Sequence, residues 1–133
     1  MKAKHKILVV DDDKDIVETI RGRLVREGYE VFTAFDGEEA LVKAKEVLPD
    51  VIILDLMMPK LNGFEVLKEI RVVLKDKWIP VIIVSAKTEL ETLKTCYGLE
   101  ADHYLIKPCD MEHILQSVET MISLIPFRKK EGD

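Results

Sequence analysis

Short apolar runs alternate with helix-like patterns along the whole chain. Five runs predict strands: Ile7–Val10, Glu30–Ala34, Val51–Leu54, Pro80–Val84 and Asp102–Ile106. After each run, apolar residues recur at helical spacing, which predicts helices over about residues 14–27, 37–48, 63–74, 88–99 and 111–125. Strict alternation of strands and helices is typical of a parallel sheet covered on both faces. The predicted fold class is therefore α/β: a doubly wound five-stranded parallel sheet, in the flavodoxin-like order 2-1-3-4-5, flanked by five helices.

The stretch VIILDLMMPKLNG, residues 51–63, is the most informative part of the chain. Val51–Leu54 is apolar throughout, as in a strand buried on both faces, and the run ends on Asp55. Asn62 is suited to cap the helix that follows. Ligands of open α/β sheets bind outside the carboxyl ends of the strands, which is where Asp55 is expected. The alternative is that Asp55 only ends the strand or caps a turn.

Other predicted strands also end in polar groups. The first is followed by three acids, the fourth by a hydroxyl and the fifth by an ammonium and a proline: Asp11, Asp12, Asp13, Ser85, Lys107 and Pro108. In the predicted fold these groups meet at one edge of the sheet, together with Asp55. Asp13 is better suited to begin or cap the first helix than to bind metal.

The residue types at this edge favour one kind of chemistry. Clustered carboxylates repel one another unless a cation or raised pKa values relieve them, and oxygen ligands without His or Cys select Mg²⁺ or Mn²⁺. A lysine and a serine suit the oxygens of a phosphoryl group, and a carboxylate can form an aspartyl phosphate. The pattern predicts Mg²⁺-assisted phosphoryl transfer onto an aspartate.

Four segments, VVDDD, ILDLMMPKLNGFEVL, VSAK and YLIKP, resemble in order and spacing the receiver domain of bacterial two-component response regulators. The resemblance covers about residues 5–125 and implies phosphorelay signal transduction. It implies that Asp55 is the phospho-acceptor and that Mg²⁺ is held by Asp11, Asp12, Asp55 and the main-chain carbonyl of Met57. Within that set it implies that Asp12 binds directly and Asp11 more through water.

The same resemblance assigns a switch. Ser85 is similar to the hydroxyl that bonds the phosphoryl group, and Lys107 to the family's lysine. Tyr104 is similar to the aromatic that moves inward after phosphorylation, and Lys107–Pro108 to the family's cis peptide. Phosphorylation would then change the surface of the fourth helix, fifth strand and fifth helix for a protein partner. The chain departs from the family at Glu100, where glycine is frequent.

Composition narrows the setting. The 133 residues are 47% hydrophobic and 34% charged, typical of one soluble domain, and no apolar run approaches the length of a membrane span. The N-terminus lacks a signal peptide, so we expect a cytoplasmic protein with Cys96 and Cys109 as reduced, structural thiols. The net charge of −5 argues against direct nucleic-acid binding. We expect a receiver domain over residues 1–125 and a short C-terminal tail, 126–133, after Pro126.

The expected partners are a sensor histidine kinase or histidine phosphotransfer protein as donor, and an unidentified downstream protein. The expected state is a stand-alone regulator, monomeric or dimerising on phosphorylation. No enzymatic activity is expected beyond the domain's own phosphorylation and dephosphorylation. One alternative, a haloacid-dehalogenase-type phosphatase, needs a second Asp where this chain has Met57. The others are a docking module that is never phosphorylated and the receiver half of a DNA-binding regulator.

Overall fold

A computed structural model describes residues 4–58 and 62–131, and within them strands and helices alternate strictly. The strands are β1 (Lys6–Val10), β2 (Glu30–Ala34), β3 (Val51–Leu54), β4 (Val81–Ser85) and β5 (His103–Ile106). The helices are α1 (Lys14–Arg26), α2 (Gly37–Val47), α3 (Gly63–Val73), α4 (Leu90–Gly98) and α5 (Met111–Glu131). The sheet order is β2-β1-β3-β4-β5 and every pairing is parallel, so the predicted fold class is confirmed.

Alternate strand residues feed two separate cores. On one face, Leu8, Ile52 and their neighbours pack with the buried sides of α2 and α3 and with Cys96 of α4. On the other face, Ile7, Val9 and their neighbours pack with α1 and α5. Because β1, β3 and β4 lie between the two cores, their side chains are buried almost completely. This rigid centre holds the carboxyl ends of β1 and β3 side by side.

The helix starts agree with their capping residues. The carboxylates of Asp13 and Asp36 and the side-chain oxygen of Asn62 accept hydrogen bonds from the first turns of α1, α2 and α3. The interpretation of Asp13 as a helix cap rather than a metal ligand therefore agrees with the structure. The helix α4 differs, because Glu89 at its N-cap makes no side-chain capping bond.

The prediction that the last helix ends before Pro126 is wrong. The helix α5 passes through Pro126 and continues to Glu131. Proline removes one backbone donor and disturbs the preceding turn, yet a long helix tolerates this where residues of good helix propensity follow, as Arg128, Lys129 and Lys130 do. Residues 132–133 of the predicted tail lie outside the described residues.

Two further observations concern the setting of the chain. Among the described residues, no helix combines the length and apolar character needed to cross a membrane. The two cysteines, Cys96 and Cys109, are both free thiols. Cys96 is buried, whereas Cys109 is half-buried.

Candidate functional site: an acidic cluster at the carboxyl edge of the sheet

Adjacent strands bring two buried carboxylates together. Val10 and Leu54 are register partners in the β1–β3 pair, and Asp11 and Asp55 directly follow them. The Asp55 amide donates a hydrogen bond to the Val10 carbonyl at 3.0 Å, which continues the ladder one residue past the strands. Asp11 and Asp55 are almost fully buried, while Asp12 is exposed. One carboxylate oxygen from each of the three lies within 4.8 Å of the others.

Lys107 supplies the positive charge of this cluster. Its Nζ donates a hydrogen bond to Asp11 Oδ2 at 2.8 Å and lies 3.8 Å from Asp55 Oδ1. Burial acts to lower the pKa of Lys107, but the bond to Asp11 and the charge of Asp55 outweigh it, so the pKa lies above its usual value. The ammonium therefore stays charged and offsets part of the repulsion among three acids.

The single ammonium does not offset all of that repulsion. Burial, followed by the neighbouring charge of Asp11, raises the pKa of Asp55 to about 6, with Lys107 acting in the opposite direction. A carboxyl group with this pKa is partly protonated near neutrality in the absence of another cation. The electrostatics thus favour binding of a further positive charge beside Asp55.

The carboxylate oxygens of Asp11 accept more and shorter hydrogen bonds than those of Asp55. Asp11 Oδ1 accepts the Asp13 amide at 3.0 Å, and Asp11 Oδ2 accepts Lys107. Asp55 Oδ1 accepts a long bond of 3.3 Å from the Met57 amide. Met57 is 55% exposed, so its side chain flanks the entrance of the cluster rather than closing it.

Oxygen donors alone could hold a hard cation at this edge. Two oxygens on opposite sides of a bound Mg²⁺ lie about 4 Å apart, close to the span of the three carboxylates. The donor set contains neither imidazole nor thiolate, the usual ligands of zinc, so it favours a hard cation over zinc. The residues present therefore fit a magnesium-type ion after a small approach of the side chains.

A tightly packed glycine positions the loop after Asp55, and the sequence pattern did not reveal this role. A Cβ atom at Gly63 would lie 2.5 Å from the Leu56 Cα and 2.6 Å from the Asp55 carbonyl oxygen. The Gly63 amide also donates to the Leu56 carbonyl at 3.0 Å. The start of α3 is thus pressed against the backbone that carries Asp55.

The remaining predicted residues form a second group at the ends of β4 and β5. Ser85 is fully buried, and its Oγ accepts the Lys87 amide at 3.3 Å. Tyr104 Oη donates to the Lys87 carbonyl at 2.8 Å, and Tyr104 is only 8% exposed, so it already occupies an inward position. Burial raises the pKa of the Tyr104 phenol, and the adjacent Ser85 hydroxyl opposes that shift.

This second group is joined to the acidic cluster through Lys107. The Lys107 amide donates to the Ser85 carbonyl at 2.8 Å, and the Lys107–Pro108 peptide bond is cis, as the resemblance to receiver domains implies. The structure thus brings Asp11, Asp12, Asp55 and Lys107 into one cluster and places Ser85 at its β4 side. Tyr104 is linked to Ser85 through the Lys87 main chain, whose amide donates to Ser85 and whose carbonyl accepts Tyr104.

The model of the response regulator receiver domain matches residues 7–119 of the chain. The chain belongs to the response regulator receiver domain family. Receiver domains act in phosphorelay signalling, so the predicted family, function class and signalling role are confirmed. The match covers every residue of the acidic cluster and of the group around Lys87.

Solved and curated relatives of this receiver domain include both single-domain and longer proteins. It is 36% identical to the chemotaxis protein CheY4 of Vibrio cholerae, with a TM-score of 0.84, covering 90% of this chain and 99% of that one. It is 43% identical to the alkaline phosphatase synthesis transcriptional regulatory protein PhoP of Bacillus subtilis, over 88% of this chain and 48% of that protein. The probable transcriptional regulator ycf27 of Guillardia theta is 44% identical over 81% of this chain and 41% of its own length. The chain spans about half the length of the curated relatives it matches.

Proposed function

We propose that this receiver domain accepts a phosphoryl group on Asp55 in a Mg²⁺-dependent reaction, from a sensor histidine kinase or a histidine phosphotransfer protein. The observation that carries the proposal is the convergence of Asp11, Asp12, Asp55 and Lys107 at the carboxyl edge of the sheet. Asp55 is the only one of the three acids that follows the central strand β3. An Asp55 oxygen attacks phosphorus as the donor's bond to phosphorus breaks, giving an acyl phosphate.

The residues around Asp55 divide the work of charge neutralisation. The exposed Asp12 would hold Mg²⁺ directly, with Asp55 and the Met57 main-chain carbonyl as further ligands. Asp11, whose two oxygens already accept hydrogen bonds, would contribute more through water. Bound Mg²⁺ supplies a Lewis acid that neutralises charge on the transferring group. Lys107 moves its ammonium from Asp11 toward the new phosphoryl oxygens, and Ser85 donates its hydroxyl to another.

The conformational change spreads from Asp55 through the second group, which consists of Ser85, Tyr104 and the Lys87 main chain. When the Ser85 hydroxyl turns toward the phosphoryl group, its bond from the Lys87 amide changes, and the Tyr104 bond to the Lys87 carbonyl changes with it. The surface of α4, β5 and α5 then shifts between two existing arrangements. Exposed apolar side chains at Leu90, Tyr97 and Ile106 support a protein partner for this surface. The partner of the α4, β5 and α5 surface is either a second phosphorylated copy of this chain or, where the chain stays monomeric, a different downstream protein.

A second candidate function follows from the relatives. PhoP and ycf27 are transcriptional regulators that extend well beyond the matched segment. Their names favour a receiver segment of a longer transcriptional regulator. The match over 99% of the CheY4 chain favours instead a regulator that consists of the receiver domain alone. In both cases the phosphorylation chemistry is that of the chain itself.

The proposal is tested by incubation with Mg²⁺ and a small-molecule phosphodonor, read by intact mass. One phosphoryl group should be added to the wild type, and none to Asp55→Asn or after removal of the metal. Steady turnover of a phosphate ester would instead favour the phosphatase alternative. An unmodified wild type would favour the docking module.

A further inference from the structure

A half-buried arginine, Arg71, ties together four segments at the opposite end of the sheet from Asp55. Every nitrogen of the Arg71 guanidinium donates: Nη1 to the Ile79 carbonyl at 2.6 Å, and Nε and Nη2 to the Glu100 carbonyl at 3.1 and 2.7 Å. Nη2 also pairs with Asp102 Oδ2 at 2.8 Å, and both side chains are about 15% exposed. We call Arg71, Asp102 and the Glu100 carbonyl the Arg71 clamp.

Asp102 extends the clamp into β4 and the loop before it. Its Oδ2 accepts the Val81 amide at 2.8 Å, and its Oδ1 accepts Trp78 Nε1 at 3.2 Å. The end of α3, the loop before β4, the start of β4 and the turn after α4 are therefore held by one charge pair. This pair keeps its geometry because displacement of either side chain would break several charge-assisted hydrogen bonds at once.

The clamp grips the one residue after α4 whose backbone is strained. Glu100 has φ +66°, in the left-handed region that favours glycine, and its carbonyl accepts two of the Arg71 bonds. This conformation lets the Ala101 amide return to the Cys96 carbonyl at 2.9 Å. The departure from the family's glycine is thus accompanied by a guanidinium that fixes the turn.

The other end of α4 is held much more weakly. Glu89 at its N-cap makes no side-chain capping bond, and Leu90 is 64% exposed. The one fully buried residue of α4 is Cys96, two residues before the helix ends. Packing and hydrogen bonding therefore increase along α4 toward the clamp.

The weakly held end of α4 is also the end nearest the site. Its N-cap, Glu89, lies two residues after Lys87, whose amide donates to Ser85 and whose carbonyl accepts Tyr104. A rearrangement at Ser85 would therefore reach the N-terminal turn of α4 before the rest of that helix. A helix fixed at one end and driven at the other rotates about the fixed end.

We propose that α4 moves as a lever pivoting about the Arg71 clamp, so that rearrangement at Ser85 displaces its N-terminal turn while its C-terminal turn stays in place. This pivot rests on the proposed phosphorylation of Asp55 for its driving force. The fixed end, however, is a property of the unmodified protein. The two are tested separately.

The first arm is hydrogen exchange of unmodified protein, with wild type compared against Arg71→Lys and Lys77→Gln. Lysine keeps the charge at 71 but cannot bond Ile79, Glu100 and Asp102 together. Lys77 is the matched control, because its Nζ donates at 2.9 Å to the carbonyl of Leu48, another left-handed residue at the end of a helix. In the wild type, residues 88–94 should exchange faster than residues 95–101.

Arg71→Lys should speed exchange of residues 95–101 about tenfold, the change expected from losing hydrogen bonds to a charged group. Residues 88–94 should change little, and Lys77→Gln should leave both segments as in the wild type. If Arg71→Lys accelerated exchange equally at both ends of α4, or at neither end, the claim that the Arg71 clamp fixes the C-terminal turn of α4 would be contradicted. A general loss of stability is recognised because it would accelerate β1 and β3 as well.

The second arm adds Mg²⁺ and a phosphodonor to the wild type and uses Trp78, the single tryptophan of the chain, as a reporter of the clamp. Phosphorylation should alter exchange of residues 88–94 and leave both the Trp78 emission and residues 95–101 unchanged. A shifted Trp78 emission, or equal changes along α4, would overturn the pivot. A chain that takes up no phosphoryl group contradicts the proposed function, and the fixed end is then decided by the first arm.

Discussion

The Lys107 ammonium bonds Asp11 at 2.8 Å and stands a full ångström further from Asp55. The lysine is therefore paired before any phosphoryl group arrives, and it lies within reach of the place where one would form. A charge held in this way needs little reorganisation to stabilise the transferring group.

Removal of this ammonium should slow phosphorylation of Asp55. In Lys107→Gln the three carboxylates lose their internal cation, so we expect the rate of phosphoryl incorporation from a small donor to fall at least about tenfold. Intact mass against time measures it. Lys14→Gln is the matched control, since the Lys14 ammonium lies over the Phe35 ring, 5.9 Å from its centroid, and it should keep the wild-type rate. Equal rates in all three proteins would contradict a role for Lys107.

Neighbouring acids should differ in metal binding. Asp12→Asn should weaken Mg²⁺ binding at least about tenfold in calorimetry, because a carboxylate oxygen that faces solvent beside Asp55 is replaced by a neutral amide. Asp13→Asn keeps a good capping side chain on α1 and should bind Mg²⁺ nearly as the wild type does. If Asp13→Asn weakened Mg²⁺ binding more than Asp12→Asn, the assignment of Asp12 as the metal ligand would be contradicted.

The raised pKa of Asp55 predicts a pH-dependent stability in metal-free protein. The folded chain holds the Asp55 proton more tightly than the unfolded chain, so this stabilisation is complete below the ordinary pKa of 3.8 and is lost as the pH rises through about 6. Asp55→Asn carries no charge at any pH. In the presence of a chelator it should therefore exceed the wild type in unfolding free energy by about 2 to 3 kcal/mol at about pH 8.

Denaturant unfolding at about pH 8 and about pH 4 measures the difference in unfolding free energy between Asp55→Asn and the wild type. Near pH 4 the advantage of Asp55→Asn should shrink, because the wild-type carboxyl is then largely protonated. Saturating Mg²⁺ should reduce it at the higher pH. An advantage that is the same at both pH values would show that repulsion at Asp55 is not its cause.

The close approach of Gly63 predicts a substitution that damages the site without touching its chemistry. In Gly63→Ala the new methyl meets the backbone of Asp55 and Leu56, so the loop must shift. We expect a loss of about 1 to 3 kcal/mol in unfolding free energy and slower phosphorylation. Gly22→Ala, on α1 with open space around the new methyl, should instead gain about 0.5 to 1 kcal/mol. Unchanged phosphorylation in Gly63→Ala would contradict the positioning role.

Much of the fold and site could be predicted because both follow from short-range patterns. The predicted bounds of β2 and β3 agree with the structure, since apolar runs between turn residues leave little freedom. Given parallel strands, the residues that follow them must meet at one edge, and Asp11, Asp55 and Lys107 do so although Lys107 lies 96 residues from Asp11. The partner of Lys107, however, could not be chosen between the two acids from spacing.

Other features depend on contacts that leave no periodic trace. Asp102 was predicted to begin β5, but β5 starts at His103 and the Asp102 side chain binds Arg71, 31 residues earlier. The unusual Glu100 was visible in the sequence, yet the guanidinium that holds its carbonyl was not. The tight packing of Gly63 and the continuation of α5 past Pro126 likewise depend on tertiary context.

The most direct measurement of phosphoryl acceptance by Asp55 is chemical mapping of the modified residue. Protein treated with Mg²⁺ and a phosphodonor is reduced with borohydride, which converts an acyl phosphate of aspartate to homoserine, and its peptides are sequenced by mass spectrometry. We predict homoserine at position 55 in the wild type and unmodified Asp11, Asp12 and Asp13. Homoserine at one of those three positions, or an unmodified residue 55 in protein that carries a phosphoryl group, would contradict the assignment.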